Sequence, residues 1–268
     1  MAAATPEGFR EVWEPILSQG PVEVLIFGDF DSEEAVAALA RTFGALPDRQ
    51  PIPPAVTERE VQIAPAGETI VRYHRGEANQ AAAVFAWPVG GGMGEIRKSR
   101  QLAILTEVFS NRLLDAMREK AGASYAPSVQ LDWPADVTSG GAILGIAQLQ
   151  PKDVPVFFAE ADRIARELTE VPPDANELAR ATEPLRTYYE RISSGNYFYL
   201  LELEGSTEDP RRMRALRGLI GDYARTTPEM MLALAQEYFG GKPSWRMAVI
   251  PEGQALATAA TAPVQSGR

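Results

Sequence analysis

The sequence predicts an α+β fold, a two-layer sandwich with helices mainly on one face of a mixed, largely antiparallel sheet. Three observations predict it. A long amphipathic helix turns sharply into a strand in mid-chain. In other segments the apolar residues recur with either the 3.6-residue period of a helix or the two-residue period of a strand. A proline-rich stretch separates a short N-terminal part from a complete domain. At 268 residues, 45% of them apolar, the chain is long enough for a substantial core.

The first 46 residues are predicted to form a helix, a strand and a second helix. Thr5-Pro6-Glu7 is typical of a helix start, since Thr can cap, Pro suits the first turn and Glu favours the dipole. Gly20-Pro21 then opens an apolar strand over residues 22–28. Asp31, with Glu34 three residues later, is typical of a capping box and predicts a helix over residues 32–43.

The far end of the chain repeats this pattern. At a constant offset of 222, the matching residues are Thr5, Pro6, Glu7 and Pro21 with Thr227, Pro228, Glu229 and Pro243. We therefore interpret residues 1–46 as the closing helix, strand and helix of a preceding repeat, and residues 69–250 as a complete domain. Residues 47–68 contain five prolines and are predicted to be a stiff linker, and the Ala/Thr-rich residues 251–268 a weakly ordered tail.

The complete domain is predicted to begin with two strands, over residues 69–74 and 81–87. A glycine-rich loop at 90–94 lacks a phosphate-binding motif and is expected to be a flexible turn. A strand at 139–150 is apolar on both faces and should be central in the sheet. The remaining predicted elements are a helix at 153–170, helices across 174–240 with breaks near 194–195 and 206–210, and a strand at 244–250.

The central helix is predicted from about residue 95 to residue 121. Its apolar residues recur every three or four positions and form one buried stripe: Leu102, Leu105, Phe109, Leu113 and Met117. Lys120 suits the negative C-terminal end of the helix dipole, and Gly122 offers the left-handed conformation that ends many helices. From Tyr125 the apolar residues recur at every second position, which predicts a strand with Val129 and Leu131 on one face.

Composition excludes several classes of function. A net charge of −10 argues against nucleic acid as a partner, and the absence of cysteine excludes disulfides, thiolate zinc sites and a cysteine nucleophile. His74 is the single histidine, so the chain cannot form a two-histidine zinc site, and we expect His74 to close a strand as a polar residue. No membrane span or signal peptide is predicted. We expect a soluble protein, with cytoplasm and periplasm both open as its compartment.

Arg118 and Tyr125 flank the turn between the central helix and the following strand. A guanidinium offers a fork of donors and a phenol one hydroxyl, so together they could hold a peptide carbonyl or an oxyanion. Neither is a base or nucleophile at neutral pH. Chemistry alone favours the structural alternative, with Arg118 on the solvated side of the helix and Tyr125 in the core beside Trp133.

The run RLLDAMREKAGASY resembles the signature in the second half of the insulinase/pitrilysin zinc metallopeptidases, the inverzincins, L-x-x-x-[LM]-R-E-x-x-G-x-x-Y. Arg118, Glu119, Gly122 and Tyr125 occupy its fixed positions. The resemblance implies a processing-peptidase-like, C-terminal-type domain whose Arg118 and Tyr125 reach across a chamber to a peptide substrate. Zinc and the general-base glutamate would come from another domain or chain bearing HxxEH. This chain would bind no metal or cofactor and would be inactive alone.

Two alternatives to this function stay open. One is a catalytically inactive scaffold homologue of the same family that acts in protein assembly. The other is an unrelated small-molecule enzyme, although the sequence offers no cluster of titratable residues for one. The apolar strand at 22–28 would have lost its natural sheet, and pairing with a second copy of the chain would then produce a homodimer.

Overall fold

A computed structural model describes residues 4–57, 60, 63–121 and 126–256, and the structural statements below concern those residues. The chain divides into two compact units. The N-terminal unit comprises Met1–Arg59 and Ile192–Leu216, and the sheet unit comprises Glu60–Arg191 and Arg217–Arg268. The predicted tail at 251–268 falls largely outside the described residues.

The helices, in chain order, are α1 (Pro6–Leu17), α2 (Ser32–Arg41), α3 (Pro54–Thr57), α4 (Ile96–Ala121), α5 (Val154–Glu170), α6 (Ala175–Ile192), α7 (Asn196–Glu202), α8 (Arg211–Ala224) and α9 (Pro228–Tyr238). The strands are β1 (Ile70–His74), β2 (Ala81–Pro88), β3 (Ser128–Asp132), β4 (Ala142–Leu149) and β5 (Trp245–Pro251). Short 3₁₀ turns lie at Phe43–Ala45, Met93–Glu95 and Pro151–Asp153. No helix in this part of the chain is both long and apolar enough to cross a membrane.

The strands of the sheet unit form one mixed sheet in the order β1-β5-β2-β4-β3. β1 runs parallel to β5, with Ile70 opposite Met247. The other neighbours are antiparallel, as where Phe85 lies opposite Gly145. The last strand of the chain is therefore inserted between the first two, and the prediction of a mixed, largely antiparallel sheet is confirmed.

The helices α4, α5 and α9 pack together over one face of this sheet. All five residues of the predicted α4 stripe are completely buried. An aromatic cluster joins the layers, in which the rings of Phe85 and Phe157 lie 5.2 Å apart and those of Trp87 and Phe239 5.0 Å. On the opposite face Gln148 is exposed and Ile146 is 40% exposed. The two-layer prediction is confirmed.

Two strand predictions need adjustment. The predicted start of a strand at residue 125 lies outside the described residues; 126–127 are irregular, and β3 begins at Ser128. β4 is shorter than predicted, but it is central in the sheet as predicted, because it pairs with β2 on one side and with β3 on the other. One of its faces is open. An apolar residue such as Ile146 can remain on an open face, so apolarity on both faces does not prove double burial.

The glycine-rich loop before α4 is packed rather than flexible, so that prediction is wrong. Gly91 and Gly92 are buried, and a Cβ on Gly91 would lie 2.3 Å from the carbonyl oxygen of Val137. The Gly92 amide donates to the carbonyl of Pro134 (2.7 Å), and the Trp133 indole donates to the carbonyl of Gly92 (3.2 Å). Gly92 also has φ of 86°, which favours glycine. These glycines permit a close approach of two loops.

The predicted helix starts of the N-terminal unit are confirmed. Thr5 Oγ1 accepts from the amide of Gly8 (3.1 Å) at the start of α1. Asp31 caps α2 by accepting from the amides of Glu33 and Glu34, both at 2.9 Å. Side-chain caps of this kind satisfy amides that have no partner inside the helix.

No strand forms over residues 22–28, so this prediction is wrong. A strand needs a neighbour for its amides and carbonyls, and no backbone–backbone hydrogen bond to this segment occurs among the described residues. Side chains hold one face of the segment instead. Glu23 accepts from the Thr207 hydroxyl (2.6 Å) and from the amides of Thr207 and Gly205, and Phe27 stacks on Tyr199.

Candidate functional site

Arg118 lies in the last turn of α4 with its side chain exposed. The helix is 26 residues long, and the two residues before Arg118 anchor it in the core, Ala116 at 8% exposure and Met117 at 0%. Arg118 shares a helix face with Asn111 and Leu114, at the i−7 and i−4 positions. The fold therefore presents this guanidinium from a rigid element, as a site residue requires.

Arg118 differs from every other basic residue of α4. The others pair with acidic groups: Arg97 and Arg100 with Asp222, Lys98 with Glu95 and Glu237, Arg112 with Glu177, and Lys120 with Glu160. Within the described ranges, Arg118 has no ion pair. A guanidinium without an internal partner keeps all five of its donors for another molecule.

The neighbouring charges are neutralised within the groove between α4 and the helices beside it. Arg112 donates twice to Glu177, at 2.6 and 2.8 Å, and this hydrogen bonding raises the pKa of Arg112. Burial by itself raises the pKa of Glu160, but hydrogen bonds from Lys120 and Arg163 outweigh it and hold that pKa below its ordinary value. These carboxylates are engaged by other cations, which leaves Arg118 outside the network.

Tyr125, the other predicted site residue, lies among residues 122–125, outside the described part of the chain. The structure places the C-terminal end of α4 at Ala121 and the start of β3 at Ser128, and α4 packs against β3. Six residues, 122–127, separate the two elements. The convergence of Arg118 and Tyr125 stays a prediction.

His74 is the last residue of β1, as predicted, and its ring bonds to the segment that leads to β2. The amide of Gly76 donates to Nδ1 (2.9 Å), so Nε2 carries the proton and donates to the carbonyl of Gln80 (2.8 Å). Both ring nitrogens are thus occupied. No group of three or more His, Cys, Asp or Glu side chains in the described ranges is placed to hold a metal ion. The residues present do not fit a zinc site.

The open face of the sheet was not predicted as part of the site. It carries polar side chains at alternate positions, Ser128 and Gln130 on β3 and Gln148 on β4, around the exposed Ile146. The period-two placement of polar residues in β3 was the available sequence signal. The apolar character of 139–150 hid the continuation of this face onto β4.

Comparison with known proteins addresses the family and the fold. A sequence model described as the peptidase M16 inactive domain matches residues 3–185. No curated protein sequence matches the chain at a significant level.

Solved structures share the fold at low sequence identity. A conserved protein from Enterococcus faecalis has a TM-score of 0.70 at 14% identity, over 95% of this chain and 57% of its own. A peptidase M16 inactive domain from Pseudomonas fluorescens has a TM-score of 0.66 at 15% identity, over 87% and 54%. The ferredoxin protease FusC, in an E83A mutant complex with Arabidopsis ferredoxin, has a TM-score of 0.67 at 14% identity, over 92% and 27%.

This chain spans about half the length of the first two of these structures. The family match covers more than half of the chain and includes the run from Leu113 to residue 125 that carries the resemblance. The mixed sheet with helices on one face agrees with this family match. The chain belongs to the peptidase M16 inactive domain family, the non-catalytic C-terminal-type domains of insulinase-like metallopeptidases.

Proposed function

We propose that this chain forms the non-catalytic half of the substrate chamber of an insulinase-like zinc peptidase. Arg118 and Tyr125 contact the peptide substrate near the bond that is cleaved. Zinc and the general base come from an HxxEH-bearing domain or subunit, because this chain has one histidine and no cysteine, and no group of its described residues is placed to hold a metal ion. Alone, the chain cleaves no peptide.

The observation that carries the proposal is the unpaired state of Arg118 among the described residues. Five other basic residues on the same helix are held by carboxylates, whereas Arg118 is exposed at a well-anchored helix end. This guanidinium is therefore available to a ligand. The open face of the sheet carries polar side chains and is suited to an extended peptide, whose backbone offers donors and acceptors along its length.

The chemistry of the pair is electrostatic. A guanidinium and a phenol hydroxyl can both donate to one carbonyl oxygen, and such bonds strengthen as negative charge develops on that oxygen. Neither group needs to exchange a proton with the substrate. The pair therefore orients the peptide and stabilises the oxyanion, while bond cleavage takes place at groups that this chain does not carry.

The test is the turnover of the complete peptidase, reconstituted with the catalytic half, for Arg118→Ala and Tyr125→Phe. Removal of one oxyanion donor should lower kcat by roughly 10²–10³-fold. Both side chains are expected to face the chamber, so the unfolding midpoint should change little. Arg166→Ala is the matched control, since Arg166 is an exposed arginine on α5 without an ion pair in the described ranges.

Loss of thermal stability with full specific activity in both variants would mean that the pair is structural. That outcome would favour the scaffold alternative. Tightly bound zinc at one per purified chain, together with chelator-sensitive proteolysis, would contradict the assignment of zinc to another half.

The partners follow from the same proposal. They are the HxxEH-bearing half and a peptide or protein substrate, in line with the FusC structure, which was solved in complex with ferredoxin. The nature of the substrate of this chain is left to experiment. A homodimer through residues 22–28 stays a separate prediction, because these residues have no backbone partner among the described ones.

A further inference from the structure

Asp222 pairs with three arginines of the sheet unit. Its carboxylate lies 2.7 Å from Nη1 of Arg100, 3.5 Å from Nε of Arg97 and 3.2 Å from Nη2 of Arg225. Asp222 and Arg100 are buried, whereas the side chains of Arg97 and Arg225 are 57% and 61% exposed. We call these four residues the arginine cluster. Its cations outnumber its single carboxylate in a chain whose net charge is −10.

No other ion-pair cluster of the described residues has an excess of cations. Lys98 lies between two carboxylates, those of Glu95 and Glu237. The cluster around Glu160 contains two cations and two carboxylates. The buried Arg100 needs a counter-charge, and Asp222 alone supplies it. Burial therefore does not account for the approach of two further arginines that water already solvates.

The two exposed arginines lie at the same oxygen of Asp222. Nη2 of Arg225 donates to Oδ1 at 3.2 Å, and Nε of Arg97 lies 3.5 Å from that atom, farther than in an ordinary hydrogen bond. Arg100 donates to the other oxygen, Oδ2. A guanidinium carries five donors, so most donors of Arg97 and Arg225 have no partner among the described residues. Two forks of donors thus meet at the protein surface.

Two glycines of α8, Gly218 and Gly221, leave space beside these side chains. A Cβ on Gly221 would lie 3.2 Å from Nη2 of Arg225. A Cβ on Gly218 would lie 3.5 Å from Oδ2 of Asp222 and 3.9 Å from Nη1 of Arg100. Glycine is unfavourable inside a helix, but here it lets charged groups lie against the helix surface. That surface has room for a small ligand.

We propose that the arginine cluster binds the phosphate group of a small molecule, which Arg97 and Arg225 hold. A phosphate group brings up to two negative charges, which matches the excess of the cluster, and its oxygens accept from the forked donors of arginine. A carboxylate would leave one positive charge uncompensated. Because Arg100 balances Asp222, the two exposed guanidiniums keep their charge for the ligand.

The ligand would bridge two helices. Arg97 is the second residue of α4, and Arg225 directly follows α8. A nucleic acid is not favoured as the source of the phosphate, because the net charge of −10 would repel so large a polyanion. This site is independent of the peptidase function proposed above, and its occupancy can be measured on this chain without a catalytic half.

NMR titrations of the full chain with inorganic phosphate, glycerol phosphate and acetate test the site, at constant ionic strength and about pH 8, where a phosphate ester is doubly charged. We expect both phosphates to produce saturating shifts in the amides of 96–100 and 217–226, with a dissociation constant on the order of 1 mM. Acetate should bind roughly tenfold more weakly. Tighter binding of the ester would identify a phosphorylated small molecule as the source, and equal or weaker binding free phosphate. Acetate binding as tight as that of phosphate would overturn the proposal.

Arg97→Ala and Arg225→Ala should each raise the dissociation constant for phosphate roughly tenfold or more, the loss expected for a hydrogen bond to a charged group. Arg97→Lys and Arg225→Lys keep the charge around Asp222 and should weaken binding less. Arg166→Ala, at an exposed position on α5, is the matched control and should bind phosphate as the native chain does. Unchanged binding in either alanine variant, equal weakening in the control, or shifts that never saturate would each show that no phosphate site exists here.

Discussion

Replacement of Asp222 should destabilise this protein more than replacement of its buried partner, Arg100. The side chain of Arg100 is 7% exposed, and its Nη1 lies 2.7 Å from Oδ2 of Asp222. Asp222 also lies near two arginines that are mostly in water, 3.5 Å from Nε of Arg97 and 3.2 Å from Nη2 of Arg225. Asp222 thus has three cationic partners, whereas Arg100 has one carboxylate partner in the described ranges.

The two substitutions therefore leave different residues behind. Asp222→Asn leaves the guanidinium of Arg100 buried without a counter-charge, which should lower the unfolding free energy by about 3–5 kcal/mol. Arg100→Met leaves Asp222 with two other arginines and fills the space with an apolar chain. Its cost should be about 1.5–3 kcal/mol, the value of a hydrogen bond to a charged group.

Urea unfolding followed by far-UV circular dichroism measures both values, since urea does not screen charges as guanidinium does. Arg166→Met, at an exposed position on α5, is the control and should be near neutral. An equal or larger loss for Arg100→Met than for Asp222→Asn would refute the reasoning, because it would show that Arg97 and Arg225 do not support the remaining carboxylate.

Two further predictions concern the sheet and the α4–α5 groove. Gly145→Ala should lower the unfolding free energy by roughly 1–3 kcal/mol or more, since the new Cβ would lie 2.0 Å from the fully buried Phe85 ring. Gly94→Ala is the control: its Cβ would have no atom within 4 Å, so it should be near neutral in the same urea titration. The pKa of Glu160 is lowered from its ordinary value of 4.5 in the folded chain. The ionised carboxylate therefore stabilises the fold at pH values above 4.5, and this stabilisation is lost as the pH falls through the lowered pKa. Unfolding curves from pH 7 to pH 3 should show that loss in the native chain and less of it in Glu160→Gln, and identical pH profiles would contradict the prediction.

Periodic elements could be predicted from the sequence because local pattern and tertiary burial agree in them. In α4 the stripe from Leu102 to Met117 is buried as predicted, and the starts of α1 and α2 follow from Thr5 and Asp31. The strand at 244–250 was also identified, but its place between β1 and β2 was not, since strand order depends on contacts between distant parts of the chain.

The errors occurred where the surroundings decide the structure. Residues 22–28 have the composition of a strand, yet a strand forms only beside another, and this segment has no backbone partner among the described residues. The glycines at 90–94 predict a flexible loop, because glycine permits many conformations. Here the glycines instead permit contact with the loop around Pro134 and Val137, which no local pattern indicates. Of the predicted site, Arg118 is exposed and available, and Tyr125 lies outside the described residues.

The position of β5 in the sheet also has a consequence for folding. Among the described residues β1 pairs with β5 alone, so it gains this neighbour only after β5 has been synthesised. The closure of so long a loop is slow, and β2 exposes an open edge in the meantime. During translation the helix layer can assemble on β2, β4 and β3, but the sheet is complete only once β5 has joined it. Until then β1 lacks its partner and one edge of β2 is open, which exposes the intermediate to aggregation.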